Sequence, residues 1–174
     1  MKKIALFSHD AGGAEILSNW AKNHTNKYLI KVAGPAEDIY KKNKLDHFFS
    51  DMSVSEVIDF SDLIICSTSW DSLLEINAIK EALAKNKKCI SILDHWANYK
   101  ERFQDSSDKI YLPNEIWVCD TYAEDLARSL FQNTKIKLIE NPYLVSIREE
   151  INEKISKTVK KNNQVLYVGE PVAD

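Results

Sequence analysis

Apolar residues gather in short, nearly unbroken runs along this chain: Lys3 to Ser8, Tyr28 to Gly34, Leu63 to Ser67, Lys88 to Leu93, Glu115 to Cys119, Ile136 to Glu140 and Val165 to Gly169. Unbroken runs, as opposed to strict apolar/polar alternation, are expected of strands covered on both faces by helices. Between the runs the spacing changes to three and four. Leu73, Ile76, Ile79 and Leu83 form one stripe, Tyr122, Leu126 and Leu130 another, and Leu144, Ile147, Ile151, Ile155 and Val159 a long third. The first run turns directly into a helix carrying Ile16, Leu17 and Trp20. Two helix starts have the Ser/Thr-x-x-Glu capping spacing, Ser53 with Glu56 and Thr121 with Glu124. The pattern is weaker from Tyr40 to Asp59, where one short strand is expected around His47 to Ser50.

Strands alternating with helices predict an α/β chain with right-handed crossovers. The expected architecture is a Rossmann-like, doubly wound, mostly parallel sheet of about six to seven strands, with helices on both faces. Residues 1–162 form that domain, including a long helix from Pro142 to about Lys161, and 163–174 read as the first strand of a second domain. A strand followed by Gly169-Glu170-Pro171 normally opens another strand-helix unit, so the chain reads as the front part of something longer.

Bulk properties narrow the function classes. With 23 Lys+Arg against 26 Asp+Glu, the net charge of -3 offers no footprint for a polyanion, so nucleic acid is not expected as a partner. The apolar start stops at His9-Asp10, which is wrong for a signal peptide, and no apolar run approaches the roughly 20 residues of a membrane span. A cytoplasmic protein, with membrane association at most peripheral, is expected. Cys66, Cys89 and Cys119 each sit in a strand-like run without metal-ligand spacing, and read as buried thiols in a reducing compartment.

In open parallel sheets ligands bind beyond the carboxyl ends of the strands, so the candidate chemistry is sought there. After the first run comes Ser8-His9-Asp10-Ala11-Gly12-Gly13-Ala14-Glu15. Gly12 and Gly13 permit a tight turn and close approach of a ligand to the helix start. The segment is neither the dinucleotide fingerprint nor a phosphate-binding P-loop, and Asp10 and Glu15 would repel a phosphate. A neutral, hydroxyl-rich ligand such as a sugar suits His9 and Asp10 better, since both accept hydrogen bonds from hydroxyls. Asp10 is also placed to cap the helix.

Cys66-Ser67-Thr68-Ser69-Trp70-Asp71-Ser72 follows another run. Its hydroxyls read first as caps, with Ser69 a substrate-binding candidate, and Trp70 is either a core residue or a platform for a sugar ring. The densest cluster is Asp94-His95-Trp96-Ala97-Asn98-Tyr99-Lys100-Glu101-Arg102. Asp94 is expected to orient His95 toward a hydroxyl, with Trp96, Tyr99 and Arg102 as a wall; a purely structural Asp-His pair is the other reading. No nucleophile elbow accompanies it. His24 and His47 read as surface or packing residues, and no metal motif is present. Asn141 is expected to cap the helix that Pro142 opens.

The Gly12-Gly13 turn, the Asp94-His95-Trp96 segment, the Asn141-Pro142-Tyr143 start of a long helix and the fresh Val165-Leu166-Tyr167-Val168 strand resemble, as a layout, the N-terminal half of GT-B-fold glycosyltransferases and related nucleotide-sugar-processing enzymes of bacterial surface polysaccharide synthesis. The resemblance implies an acceptor-binding domain with Asp10 or His95 as catalytic base, and with His9, Gly12, Gly13, Glu15, Ser69, Trp70, Asp94, Trp96 and Asn141 around a sugar acceptor. It implies no metal or other cofactor. The nucleotide-sugar donor of the complete enzyme would be held by a C-terminal domain or separate subunit, and the chain alone would be inactive. Two alternatives stand beside it: a noncatalytic subunit of a split GT-B enzyme, and a Rossmann-like enzyme using NAD or S-adenosylmethionine, against which the missing glycine fingerprint counts.

Overall fold

The computed structural model describes residues 2–158. Six strands form one all-parallel sheet: β1 (Lys3–Ser8), β2 (Lys27–Val32), β3 (Leu63–Cys66), β4 (Cys89–Ile92), β5 (Glu115–Val118) and β6 (Lys135–Leu138). Their order is β2-β1-β3-β4-β5-β6, which reverses direction between β1 and β3. Six α-helices connect and cover them: α1 (Ala11–Lys22), α2 (Ala36–Lys42), α3 (Val54–Asp59), α4 (Leu74–Ala84), α5 (Thr121–Leu130) and α6 (Pro142–Thr158). The chain is thus Rossmann-like and doubly wound. The expected strand at Val165 to Gly169, the helix beyond Thr158 and the expected second domain lie outside the described residues.

The unbroken runs are explained by two separate cores. Ala5, Phe7, Ile64, Cys66, Ile116 and Val118 face one core with α3, α4 and α5. Their neighbours in sequence, Ile4, Leu6, Ile65, Ile90, Ile92 and Trp117, face the other with α1, α2 and Tyr143 of α6. The inner strands therefore need apolar residues at odd and even positions alike, whereas the edge strand β6 buries only Ile136. No helix among the described residues is long and apolar enough to cross a membrane.

Three local expectations are corrected. The strand expected at His47 to Ser50 is a 3-10 turn at Asp46–Phe48 with a single parallel bridge from Ile30 to Phe49. Phe48 there packs edge-to-face on Tyr28, so aromatic contact does the work of a ladder. The capping box at Ser53 and Glu56 forms with both reciprocal bonds, but the one expected at Thr121 does not. Asp120, one residue earlier, takes the cap position of α5 by accepting from the Ala123 N–H at 2.7 Å. The link from β4 to β5, where the sequence shows no helical stripe, holds only the short 3-10 turn Glu101–Phe103. Finally, Leu73 and Tyr122 drop out of the expected stripes and are exposed, whereas Ile76 and Ile79 are buried and Leu83, Leu126 and Leu130 pack partly buried on the core, joined by Ala82, Ala123 and Ala127.

Candidate functional site

The point where strand order reverses lies between β1 and β3, and there the loops beyond the two strands are tied together. Asp10 occupies the cap position of α1 with extended backbone, yet its carboxylate does not cap the helix. It accepts instead from the His9 ring Nδ1 at 2.8 Å, the Ser69 hydroxyl at 2.7 Å and the Trp70 backbone N–H at 3.0 Å. Burial acts to raise the Asp10 pKa, but the bonds from His9, Ser69 and Trp70 outweigh it and hold the carboxyl below its ordinary value. The capping role is set aside by this geometry: the side chain bridges two loops.

The consequence for His9 is chemical. With Nδ1–H donated to Asp10, the neutral ring presents its lone pair at Nε2. That edge packs over Gly34, whose φ of +57° favours glycine and where a Cβ would stand 2.6 Å from Nε2. The oriented Asp-His pair sought at Asp94 and His95 is thus made by Asp10 and His9.

Beneath the pair sits Glu75, 2% exposed. Its Oε1 accepts from the His9 N–H at 2.8 Å and the Ser67 hydroxyl at 3.0 Å, while Oε2 is buried with no hydrogen-bond partner among the described residues. Burial pushes its pKa up, in part offset by those bonds. Sequence reading missed Glu75, although the signal is present: it stands four positions before Ile79, on the buried stripe of α4, where a carboxylate needs a reason.

The other wall comes from the loops after β4 and β5. Asp94 does not orient His95; its carboxylate pairs with Arg102 Nη1 at 3.1 Å, both side chains largely buried, and Arg102 also donates to Thr68 Oγ1 and to the Ala97 carbonyl. Burial raises the Asp94 pKa against the pull of the Arg102 charge. The exposed His95 accepts the Ala97 N–H at its own Nδ1, so the neutral ring carries its proton on Nε2 and offers a donor. Trp96 is 58% exposed, donates Nε1–H to Asp120 at 2.9 Å and stands edge-on to Tyr122. Tyr99 is not on the wall: it is buried beside Phe131. Trp70, read as a core residue or a platform, is 56% exposed, because its N–H is anchored to Asp10 while the indole stays outside.

Two cavities open between these walls. One of about 340 Å³ is lined by Ala11, Gly12, Glu15, Ile39, Tyr143 and the shared residues Ile16, Asp94 and Asn141. One of about 300 Å³ adds His95, Trp96, Cys119, Asp120 and Leu144 to the same shared three. A cavity of about 390 Å³ at the opposite ends of β1 and β2, by Lys3, Lys27 and Phe60, gathers no comparable polar cluster. Asn141 caps α6 as expected, accepting from the Tyr143 and Leu144 N–H groups. Gly13 lets α1 meet β3: a Cβ there would be 2.5 Å from the Ser67 Cβ. The structure thus brings Gly12, Glu15, Asp94, His95, Trp96 and Asn141 around one crevice. It gathers His9, Asp10, Ser69 and Trp70 in a cluster at its edge, beginning where Ala11 lines the cavity. Among the described residues no three His, Cys, Asp or Glu side chains gather to hold a metal ion. No protein-family model matches the chain, and no curated protein and no solved structure matches it either.

Proposed function

We propose that the chain is the acceptor-binding half of a GT-B-type glycosyltransferase or related nucleotide-sugar-processing enzyme, in which His9, oriented by Asp10, removes the proton from an acceptor hydroxyl. The observation that carries the reading is the bond from His9 Nδ1 to Asp10 Oδ1, which leaves the basic atom of the neutral ring at Nε2, over Gly34, in the cluster at the crevice edge. Asp10 itself is a poor base, since three donors already occupy its carboxylate. His95 contributes a hydrogen-bond donor, and Trp96 an aromatic face on which a sugar ring can rest. The nucleotide-sugar donor is assigned to a further domain or subunit, since the α1 start lacks a phosphate-binding fingerprint.

The test is a titration of the 15N-labelled chain with a panel of uncharged oligosaccharides and with nucleotide sugars. Shifts at the amides of His9 to Gly13 and Asp94 to Trp96 with an oligosaccharide support the assignment. If only a nucleotide sugar moves them, the chain is a nucleotide-binding domain and the acceptor reading is lost. A second reading, a noncatalytic subunit of a split enzyme, is favoured by α6, on which Leu144 is 58% and Ile151 47% exposed. Sedimentation showing a monomer, with no second chain co-purifying from the native cell, would remove it.

A further inference from the structure

An α-helix start beside glycines is an anion site by default, because its first N–H groups have no partners within the helix and the helix dipole favours negative charge. The start of α1 has that form, yet no side-chain bond from Asp10 caps it and its first turn holds no acidic residue. What stands against it is Asp94, from a different strand end. A Cβ added to Gly12 would overlap Asp94 Oδ2, while Asp94 Oδ1 is held by the Arg102 guanidinium at 3.1 Å. The carboxylate therefore lies between a cation and a helix start, the surroundings a phosphate oxygen would otherwise seek. It also lines both cavities of the crevice.

We propose that Asp94 is a specificity determinant: a built-in carboxylate that stands against the first turn of α1 at Gly12, closes the crevice to phosphorylated ligands and leaves it to uncharged, hydroxyl-bearing ones. Glu15, which lines the same cavity, and the neighbouring Asp10 add charge of the same sign. The inference deepens the acceptor reading, and rests on the crevice being where the ligand lies. Uncharged hydroxyls can donate to Asp94 and Asn141, whereas a phosphate must meet the carboxylate directly.

Inorganic phosphate, titrated against the 15N-labelled chain and read at the amides of Ala11, Gly12 and Gly13, is the probe. The wild type is expected to show no saturable shift. Asp94→Asn removes the charge and frees Arg102, and should bind phosphate about tenfold more tightly or better, as loss of one close like charge predicts. Saturable binding to the wild type at these amides overturns the proposal, and so does a folded Asp94→Asn that binds no better. Asp94→Ser, which keeps an oxygen for Arg102, replaces a variant that does not fold, and the wild-type titration decides by itself if neither folds. Maltose is titrated alongside as an uncharged probe. If no uncharged sugar binds while the phosphate result holds, the acceptor reading fails and the charge barrier stands.

Discussion

On the β1/β3 side of the crevice the polar contacts are long-range: His9 reaches Glu75 across 66 positions and Ser69 reaches Asp10 across 59. On the β4/β5 side most are local, such as Ala97 to His95 across 2 and Arg102 to Asp94 across 8, with Trp96 to Asp120 across 24. The first side is held by the fold itself, since its hydrogen bonds persist only while β1, β3 and α4 are packed together. The second makes several of its bonds within the loop after β4, is tied to its neighbours by Trp96 to Asp120 and Arg102 to Thr68, and leaves His95 and Trp96 in solvent. A fixed side suits the placement of a reacting atom, and an exposed side suits the grip on a ligand that varies.

The largest expected effect is catalytic. In transfer by the complete enzyme, His9→Gln should lower kcat by about 10²–10⁴-fold, the usual contribution of a general base. His95→Gln should act mainly on KM, by less than about tenfold. Equal losses of kcat in both variants would erase the division of labour between the sides.

Next comes Glu75. Glu75→Ala leaves the His9 N–H and the Ser67 hydroxyl without their acceptor and opens a cavity, so urea denaturation should show a loss of about 2–4 kcal/mol. Glu75→Gln keeps an acceptor and should lose less. Because burial raises the Glu75 pKa, the carboxyl's contribution to stability is fully present below its unfolded value and is lost as pH rises through the folded value. The wild type should therefore lose stability relative to Glu75→Gln from acid toward neutral pH. Parallel stability profiles for the two proteins would show that Glu75 titrates alike folded and unfolded.

The smallest effect separates two adjacent glycines. A Cβ at position 13 meets the Ser67 Cβ at 2.5 Å, close to the backbone at the end of β3, and Gly13→Ala should cost about 1–3 kcal/mol. At position 12 the obstacle is the end of the Asp94 side chain, which can turn, so Gly12→Ala should cost less than about 1 kcal/mol in the same measurement. A reversed order would mean that the Asp94 side is the stiffer one.

Part of this site was legible before any coordinates. The glycine pair, the cluster from Asp94 to Arg102 and Asn141 as the cap of α6 all stand where strand-end reasoning puts them, because strands and helix starts have strong local signals. The partners did not follow. Sequence adjacency made Asp94 the natural companion of His95, yet Arg102, two helical turns' worth of residues away, carries the opposite charge and takes it. Asp10 had the residue type and the position of a helix cap, but the turn after β3 offered it stronger donors. Tyr122 had the spacing of a core residue and is exposed, because Ala123 and Ala127 are small enough to let α5 lie close on the sheet.

The sequence by itself determined that strands alternate with helices and that both faces of the sheet are covered, since unbroken apolar runs are stable only where odd and even positions are both buried. It determined as well which segments lie at the strand ends. Only the tertiary structure decided which carboxylate orients which histidine and which one confronts the start of α1. Those pairings depend on distances of about 3 Å between groups up to 66 positions apart, set by strand order and loop path, and no local periodicity encodes them.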